Sequence, residues 1–375
     1  MTAAEPTRKV SRSPIPALLC AGVLCGMLVV GLLPFRGPRN GVTWLPDRDG
    51  VRLSAHSILW SSASFPAEPL GDSSACSLEI WLQPGLPRDS NAILSFSTDE
   101  NPLQLTLLQY KSFLLLQPGK PHSRTPASNI GTEGVFHQGT PVFLTITSDP
   151  QRAAMYVNGQ LARAFPQYRF AKSCSGQLVL GTSPVADATW RGQLRGVAVY
   201  SHGLTADETN RHYQAWTTKG RPDISYQERI LALYLFDEHS GDIVHNAVPG
   251  GPDLYIPARY KLPHQILLRP FWQEYKPRWS YVKDILINIL GFVPLGFLFC
   301  AYWTSVRPIG RVALITTVLG LAVSLTIELL QSLIPTRDSG TTDLVTNTLG
   351  TYLGVRLYGW HVARAALEKI YSGRH

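Results

Sequence analysis

The chain has 375 residues, 45% of them apolar, and a formal net charge of +8. That length gives room for two or three domains, and the apolar residues gather at the two ends, which sets a soluble region between membrane segments. The positive charge is spread thinly along the sequence, so the basic stripe that a nucleic-acid groove needs is missing.

Residues 1–14 carry Arg8, Lys9 and Arg12 ahead of an apolar run from Ile15 to Leu33. A signal peptide shares this layout, but the run is long, and Leu33-Pro34-Phe35-Arg36 lacks the small residues of a cleavage site. The expectation is a retained transmembrane helix at 15–34. Leu19 and Leu24, which precede Cys20 and Cys25, do not make a lipoprotein box.

From Asn40 to Trp216 the periodicity shortens to that of β-strands. Residues 77–83, 92–96, 103–109, 112–117, 142–147, 154–157, 177–180 and 194–200 alternate apolar and polar residues or are rich in β-formers, with turn residues between them. Asn158-Gly159 is a type I′ hairpin signal. This spacing predicts a two-sheet sandwich. Cys20, Cys25 and Cys300 fall in apolar runs and read as small buried hydrophobes. Cys76 and Cys174 fall in the sandwich region, where they can pair if it is extracytoplasmic and the fold brings them together. No Cys-x-x-Cys or His/Cys metal spacing occurs.

Several stretches of this region resemble a LamG-like, concanavalin A-type jelly roll: SLEIWLQP around Trp81, FLTITSDPQRAAMYVNGQLAR, LVLGTSP, and the closing WRGQLRGVAVYSHGLTADE. The resemblance implies a glycan-binding, adhesive or structural domain. Exposed aromatics such as Trp190 would stack on sugar rings, although a lone Trp in such a sandwich is more often core or rim. No acidic pair stands where glycosidase carboxylates are expected.

Residues 229–256 hold YLFDEHSG, which resembles a segment that often introduces a LamG-like domain but here follows it. It either adds strands to the same sandwich out of order or forms a partial second copy. The sandwich is therefore drawn at 40–256. Asp237, Glu238 and Asp242 form one acidic turn, a weak calcium candidate beside the six to eight oxygens that ion takes. No other cofactor is expected.

Residues 257–282 form an aromatic, Pro-rich linker in which Trp272, Trp279 and Tyr281 suit a membrane interface. Three apolar segments follow at 284–303, 312–334 and 342–360, each near the ~20 residues a helix needs to cross a bilayer. Pro294 beside Gly291 and Gly296 predicts a kink or break, and Gly350 with Gly354 permits close helix packing. Residues 361–375 form a tail.

Each apolar segment carries polar residues at one end: Asp284 and Asn288; Ser324, Glu328 and Gln331; Asp343, Thr346 and Asn347, with Arg337 and Asp338 in the link. The i,i+3 and i,i+4 spacings place each set on one helix face. Antiparallel neighbours bring the three sets to one membrane face. A carboxylate at the bilayer centre costs roughly 2.5–3.5 kcal/mol, so such groups face a bundle interior or a wet cavity. Asp284, Asn288, Glu328, Gln331, Arg337, Asp343 and Asn347 are thus a candidate ligand site, with interhelical glue as the plain alternative.

The same residues carry a second resemblance. D-x3-N-x2-G-F-x-P-L-G from Asp284, S-x3-E-x2-Q-x3-P-x-R from Ser324 and D-x3-N-x2-G-x3-G from Asp343 resemble the VanZ family of membrane proteins. That family is named for a protein associated with glycopeptide resistance. The resemblance implies a small helical domain of the cell envelope, with the first helix followed by an outer loop that here is a whole domain. It implies no reaction.

The fold class expected is therefore multidomain: an all-β sandwich inserted into an all-α four-helix transmembrane domain. Arg8, Lys9, Arg12, Arg307, Arg311, Arg364, Lys369 and Arg374 fall together if both termini are cytoplasmic. Arg269, Lys276, Arg278 and Lys283 fall outside but follow a long translocated domain. The functional expectation is a non-enzymatic cell-membrane protein. Its sandwich would bind glycan or protein outside, and its helices would hold an amphiphile, with Arg337 clamping a phosphate or carboxylate. The partners expected are the lipid bilayer and a surface glycan, lipid-linked precursor or envelope protein, without nucleic acid. The alternatives are an enzyme on a lipid-linked substrate with Glu328 as general acid or base and Asp343 binding metal or orienting substrate, or a structural scaffold.

Overall fold

The computed structural model of the protein describes residues 14–66, 75–86, 89–119, 129–275, 279–304, 309–337, 339–360, 364, 365 and 368. The expectations placed on Arg8, Lys9, Arg12, Lys276, Arg278, Arg307, Asp338, Lys369 and Arg374 lie outside the described residues. The chain divides into two compact units, Gly37–Gln265 and the pair of segments Met1–Arg36 and Ile266–His375.

The first unit is a sandwich of two antiparallel sheets. Its strands are β1 (Val42–Trp44), β2 (Val51–Leu53), β3 (Leu59–Ser61), β4 (Cys76–Pro84), β5 (Ala92–Ser97), β6 (Leu105–Tyr110), β7 (Phe113–Pro118) and β8 (Ile130–Thr132). There follow β9 (Val142–Ser148), β10 (Ala153–Val157), β11 (Gln160–Phe165), β12 (Gln177–Leu180), β13 (Gly192–Tyr200), β14 (Ile230–Tyr234), β15 (Ile243–Val244) and β16 (Leu254–Tyr255). Sheet I runs β1-β2-β13-β4-β9-β10-β11 with β14 also on β13, and sheet II runs β15-β16-β3-β12-β5-β6-β7-β8.

Alternation explains the core. Leu78, Ile80 and Leu82 of β4 and Val197 and Val199 of β13 point inward, where they meet Leu94, Phe96, Leu178 and Leu180 of sheet II. Each side chain of this kind stabilises by roughly 1.5–3 kcal/mol when fully buried. Asn158 and Gly159 both take positive φ, 51° and 75°, as a type I′ hairpin requires. A disulfide joins Cys76 at the start of β4 to Cys174, with 6.6 Å between their Cα atoms.

The segment at 230–255 joins the same sandwich out of order rather than forming a second copy. β14 pairs with β13 in sheet I, while β16 pairs with β3 in sheet II. The two ends of the unit also meet: Asn40 donates its amide to Ala258 O at 3.3 Å, and Tyr260 donates to Pro38 O at 3.0 Å.

Helix α1 (Ile15–Leu32) belongs to the other unit, whereas α2 (Ala206–Lys219) covers the outer face of sheet I. A capping box of Thr205 and Glu208 starts α2, and Gly220 at φ 74° ends it. Trp216 is fully buried, and a Cβ on Gly196 would run into its ring. Beneath α2 lies a sealed polar network. His212 contacts Glu79 Oε1 through Nδ1 at 3.0 Å and Glu228 Oε2 through Nε2 at 2.9 Å, with all three residues buried. Tyr200 donates to Glu79 Oε2 at 2.7 Å and stacks on the imidazole, and Arg211 pairs with Glu228.

The second unit holds α1, a short α3 (Phe271–Glu274), α4 (Trp279–Thr304), α5 (Ile309–Gln331) and α6 (Thr341–Tyr358). Among the described residues three helices are long and apolar enough to cross a membrane: Ile15–Leu32, Trp279–Thr304 and Arg311–Gln331. The fourth expected span, α6, is not among them. Its 18 residues include Thr341, Thr342, Asp343, Thr346, Asn347 and Arg356, and its polar first turns pack against α4 and α5.

Helices α4 and α6 run parallel, and α5 runs antiparallel to both. Glycines set the α4–α6 approach: a Cβ on Gly350 would meet Ile289 O, and one on Gly354 would meet Val293 O. Of the kink or break expected at Pro294, the break does not occur: α4 continues through it. Cys20 and Cys300 are buried as expected, but Cys25 is exposed on α1. Trp272, Tyr275 and Trp279 are exposed. Tyr281 instead turns its hydroxyl to Thr342 Oγ1 at 3.4 Å.

Candidate functional site

The polar residues of α4, α5 and α6 converge because of spacing and direction. Asn288 Nδ2 donates to Asp343 Oδ1 at 2.6 Å, joining α4 to α6. Asn347 Nδ2, one turn further along α6, donates to Ser324 Oγ of α5 at 3.0 Å. Its own Oδ1 is buried with no hydrogen-bond partner.

Glu328 is 1% exposed, and its Oε2 accepts the Gly340 amide at 2.9 Å. Gly340 is the N-cap of α6, so this carboxylate satisfies one of the amides a helix start leaves open. Glu274 of α3 takes the next position: its Oε2 accepts from the Thr342 amide at 3.1 Å and from the Thr342 hydroxyl. A Cβ on Gly340 would strike the Glu274 carboxyl, which would have to shift from this position. Neither Gly340 nor Glu274 stands out in the sequence pattern.

Gln331 and Arg337 do something the sequence reading did not foresee. Gln331 Nε2 donates to Gly31 O at 2.7 Å, and Arg337 donates Nε to Leu33 O at 3.1 Å with Nη2 on the same carbonyl. Those carbonyls are among the acceptors left over at the end of α1. In this structure Arg337 therefore holds a helix end, where the expectation was a clamp on a phosphate or carboxylate.

Two adjoining cavities surround this cluster. One, of about 500 Å³, is a polar chamber lined by Arg269, Glu274, Asp284, Arg337 and Thr342. The other, of about 410 Å³, is a slot between α1 and α4 lined by Val23, Met27, Val30, Phe292, Ile327, Glu328 and Asn347. Ile287, Asn288, Gln331 and Asp343 line both. The seven predicted residues all line one or both cavities, with Asp284 exposed at the chamber.

In the sandwich, Trp190 cannot stack on a sugar. It is fully buried, and its Nε1 donates to Gln109 Oε1 at 2.7 Å inside the core. At the acidic turn Glu238 Oε1 accepts the His245 amide at 2.6 Å, and Asp237 and Asp242 are exposed. Among the described residues no group of three or more His, Cys, Asp or Glu is arranged to hold a metal ion. Glu79 and Glu228 lie on opposite sides of the His212 ring, and both are fully buried.

Residues 247–362 match the VanZ/LLP1 family model, its first part overlapping the sandwich unit. Residues 61–210 match the model of the concanavalin A-like lectin/glucanase superfamily. Protein VanZ of Enterococcus faecium is 28% identical over 91 residues, which are 24% of this chain and 53% of the relative. The chain thus spans about half the length of that curated relative. A candidate carbohydrate-binding protein from Bacteroides ovatus is similar in structure at a TM-score of 0.38 and 12% identity, over 58% of each chain. The heptameric SAP-like pentraxin of Limulus polyphemus gives 0.36 and 16%, over 60% of this chain and 96% of its own. The Ruminococcus gnavus IT-sialidase CBM40 bound to α2,3-sialyllactose gives 0.33 and 12%, over 44% and 95%. None of these structural likenesses is close enough to identify a ligand. The chain carries a VanZ-like domain and a concanavalin A-like sandwich, and its apolar helices make it a membrane protein.

Proposed function

We propose that the protein is a non-enzymatic, multi-pass component of the cell envelope whose helical unit holds an amphiphilic or lipid-linked molecule. Both termini are cytoplasmic in this reading, with the more polar α6 making the fourth crossing beside α4, and the sandwich lies outside, where it binds a glycan. The observation that carries it is the pair of cavities meeting at Asn288, Gln331 and Asp343. A polar chamber joined to an apolar slot accepts a head group and a chain together, which a merely cohesive cluster does not require.

The test fills the slot. Gly291 lines the slot and has open space where a Cβ would stand, so Gly291→Leu carries a side chain into the slot. Purified parent protein should retain lipid in native mass spectrometry, and the variant should lose it at equal abundance. Equal lipid retention would remove the amphiphile reading. Orientation is tested separately: a reporter fused after Trp216 should report outside, and one after Arg364 inside. A contribution to glycopeptide tolerance belongs to the same proposal, and unchanged susceptibility in a deletion strain would remove it.

One observation favours a second reading, that of a structural scaffold. Asn288, Asn347, Glu328, Gln331 and Arg337 are each bonded to protein groups. A core satisfied by its own groups, Asn347 Oδ1 apart, needs no ligand to cohere.

A further inference from the structure

The sandwich unit has its own groove, of about 840 Å³, a size within the range of on the order of 300–1,000 Å³ usual for small-molecule sites. Trp60 of β3, Gln177 of β12, Asp99 and Glu100 of the β5–β6 turn, and Lys261 and His264 after β16 line it. Strand register explains the Trp. Leu59 points into the core, so Trp60 turns to the outer face of sheet II, opposite Val179 on one side and Tyr255 on the other.

The ring is held but not covered. Trp60 is half-buried, packs against the small cluster of Ile58, Val179, Tyr260 and Leu262, and lies 6.3 Å from the Tyr255 ring. The carboxylate turn is braced as well, with Thr98 Oγ1 accepting the Asn101 amide at 3.1 Å. Gln177 is fixed by its bond to Ser61 O at 3.1 Å.

The lining selects a ligand class. Phe65 and Leu262, its other large apolar residues, are 3% and 5% exposed and offer little surface, so an apolar peptide side chain finds no pocket. What remains is one aromatic plane among hydrogen-bonding groups. Carboxylates and cations share the rim, so no positive field draws a polyanion.

We infer that this groove is a binding site for a neutral saccharide, its ring stacked on Trp60 and its hydroxyls bonded to Asp99, Glu100 and Gln177. The inference rests on the reading of the sandwich as glycan-binding and assigns that reading a place and a chemistry. The apolar face of a pyranose lies on the indole as other flat apolar groups do, while the hydroxyl rim meets acceptors that are already in position.

The test uses the full-length chain in nanodiscs against neutral hexose and N-acetylhexosamine oligosaccharides, with sulfated oligosaccharides and unstructured peptides alongside. Neutral sugars should bind. Trp60→Ala should weaken them roughly tenfold, the worth of an aromatic stacking contact. Glu100→Gln, at an exposed turn where misfolding is not at issue, should weaken them roughly threefold, as loss of one hydrogen bond does. Trp60→Phe should retain most binding, and Tyr110→Ala, an exposed aromatic outside the groove, should change nothing. Saccharide binding unmoved by both Trp60→Ala and Glu100→Gln overturns this site while leaving the glycan-binding reading in place. Preference for sulfated sugars or for peptides overturns the ligand class. Absence of saccharide binding by the parent protein overturns both.

Discussion

Gln331, in the last turn of α5, donates its side-chain amide to the Gly31 carbonyl in the last turn of α1 at 2.7 Å. With Arg337 on the Leu33 carbonyl, it ties a helix from the start of the chain to the C-terminal bundle across some 300 residues of sequence. These bonds matter more in a membrane than in water, since the released carbonyls find few other donors there.

Gln331→Leu keeps the volume and removes the donor. It should lower stability by about 1 kcal/mol, the net worth of a half-buried hydrogen bond. Arg337→Gln, at an exposed position, should cost less. Thermal unfolding in detergent, together with proteolysis near α1, measures both effects. An unchanged melting temperature for Gln331→Leu would mean that the bond to Gly31 adds nothing to the hold on α1.

Asp343→Asn and Glu328→Gln separate ligand site from glue. If the two cavities serve a ligand, both variants should reach parental membrane abundance, and amphiphile retention should fall roughly tenfold for each. If the cluster only coheres, abundance should fall instead, because removing one partner strands the other. Quantitative immunoblotting with native mass spectrometry distinguishes the two. Normal abundance with normal retention contradicts both readings.

The network under α2 predicts a pH dependence. Burial alone would push His212 down, but the hydrogen bond and charge of Glu79 and the charge of Glu228 outweigh it and raise its pKa above the ordinary histidine value. A group raised on folding binds protons more tightly in the native state. Its contribution is complete below the unfolded histidine pKa, about 6.5, and is lost as pH rises through the folded value. The sandwich should therefore melt at lower temperature at about pH 9 than at about pH 6, and His212→Gln should flatten that alkaline slope. Differential scanning calorimetry checks this, and an equal slope in the variant would assign the dependence elsewhere.

The disulfide closes a loop with a sequence separation of 98. On the chain-entropy account a loop of that length stabilises by ~4–5 kcal/mol. Cys76→Ser with Cys174→Ser should lower the melting temperature of the sandwich, and so should reduction of the parent. Peptide mass spectrometry without reductant tests the bond itself, and free thiols at both positions would remove it.

Much of the sandwich was legible because β-periodicity is local. All eight strands expected from alternation stand within one or two residues of their predicted bounds. The three-residue strands β1, β2, β3 and β8 carry too little pattern to be seen, and β14 to β16 were visible only as a segment with two readings. Alternation also cannot say what covers a face. Glu79 alternates with Leu78 and Ile80 and so falls on the outer face of its strand, yet α2 buries it, and Trp190, open in the sequence to stacking, core or rim, fills the core. In the helical unit, spacing showed which polar residues share a face. It could not show that Glu328, Gln331 and Arg337 bond to backbone groups of Gly340, Gly31 and Leu33, because every residue carries those groups and no pattern marks them.

The paired ends of the sandwich, at Pro38–Asn40 and Ala258–Tyr260, bear on how such a chain arises. A domain whose entrance and exit lie side by side spans almost no distance in its host, so it can be spliced into a loop between two helices without prying them apart. Its removal would leave a gap that a few residues close. A domain with ends so placed asks no redesign of the bundle that carries it, and unrelated domains with adjacent ends are equally admissible at the same joint.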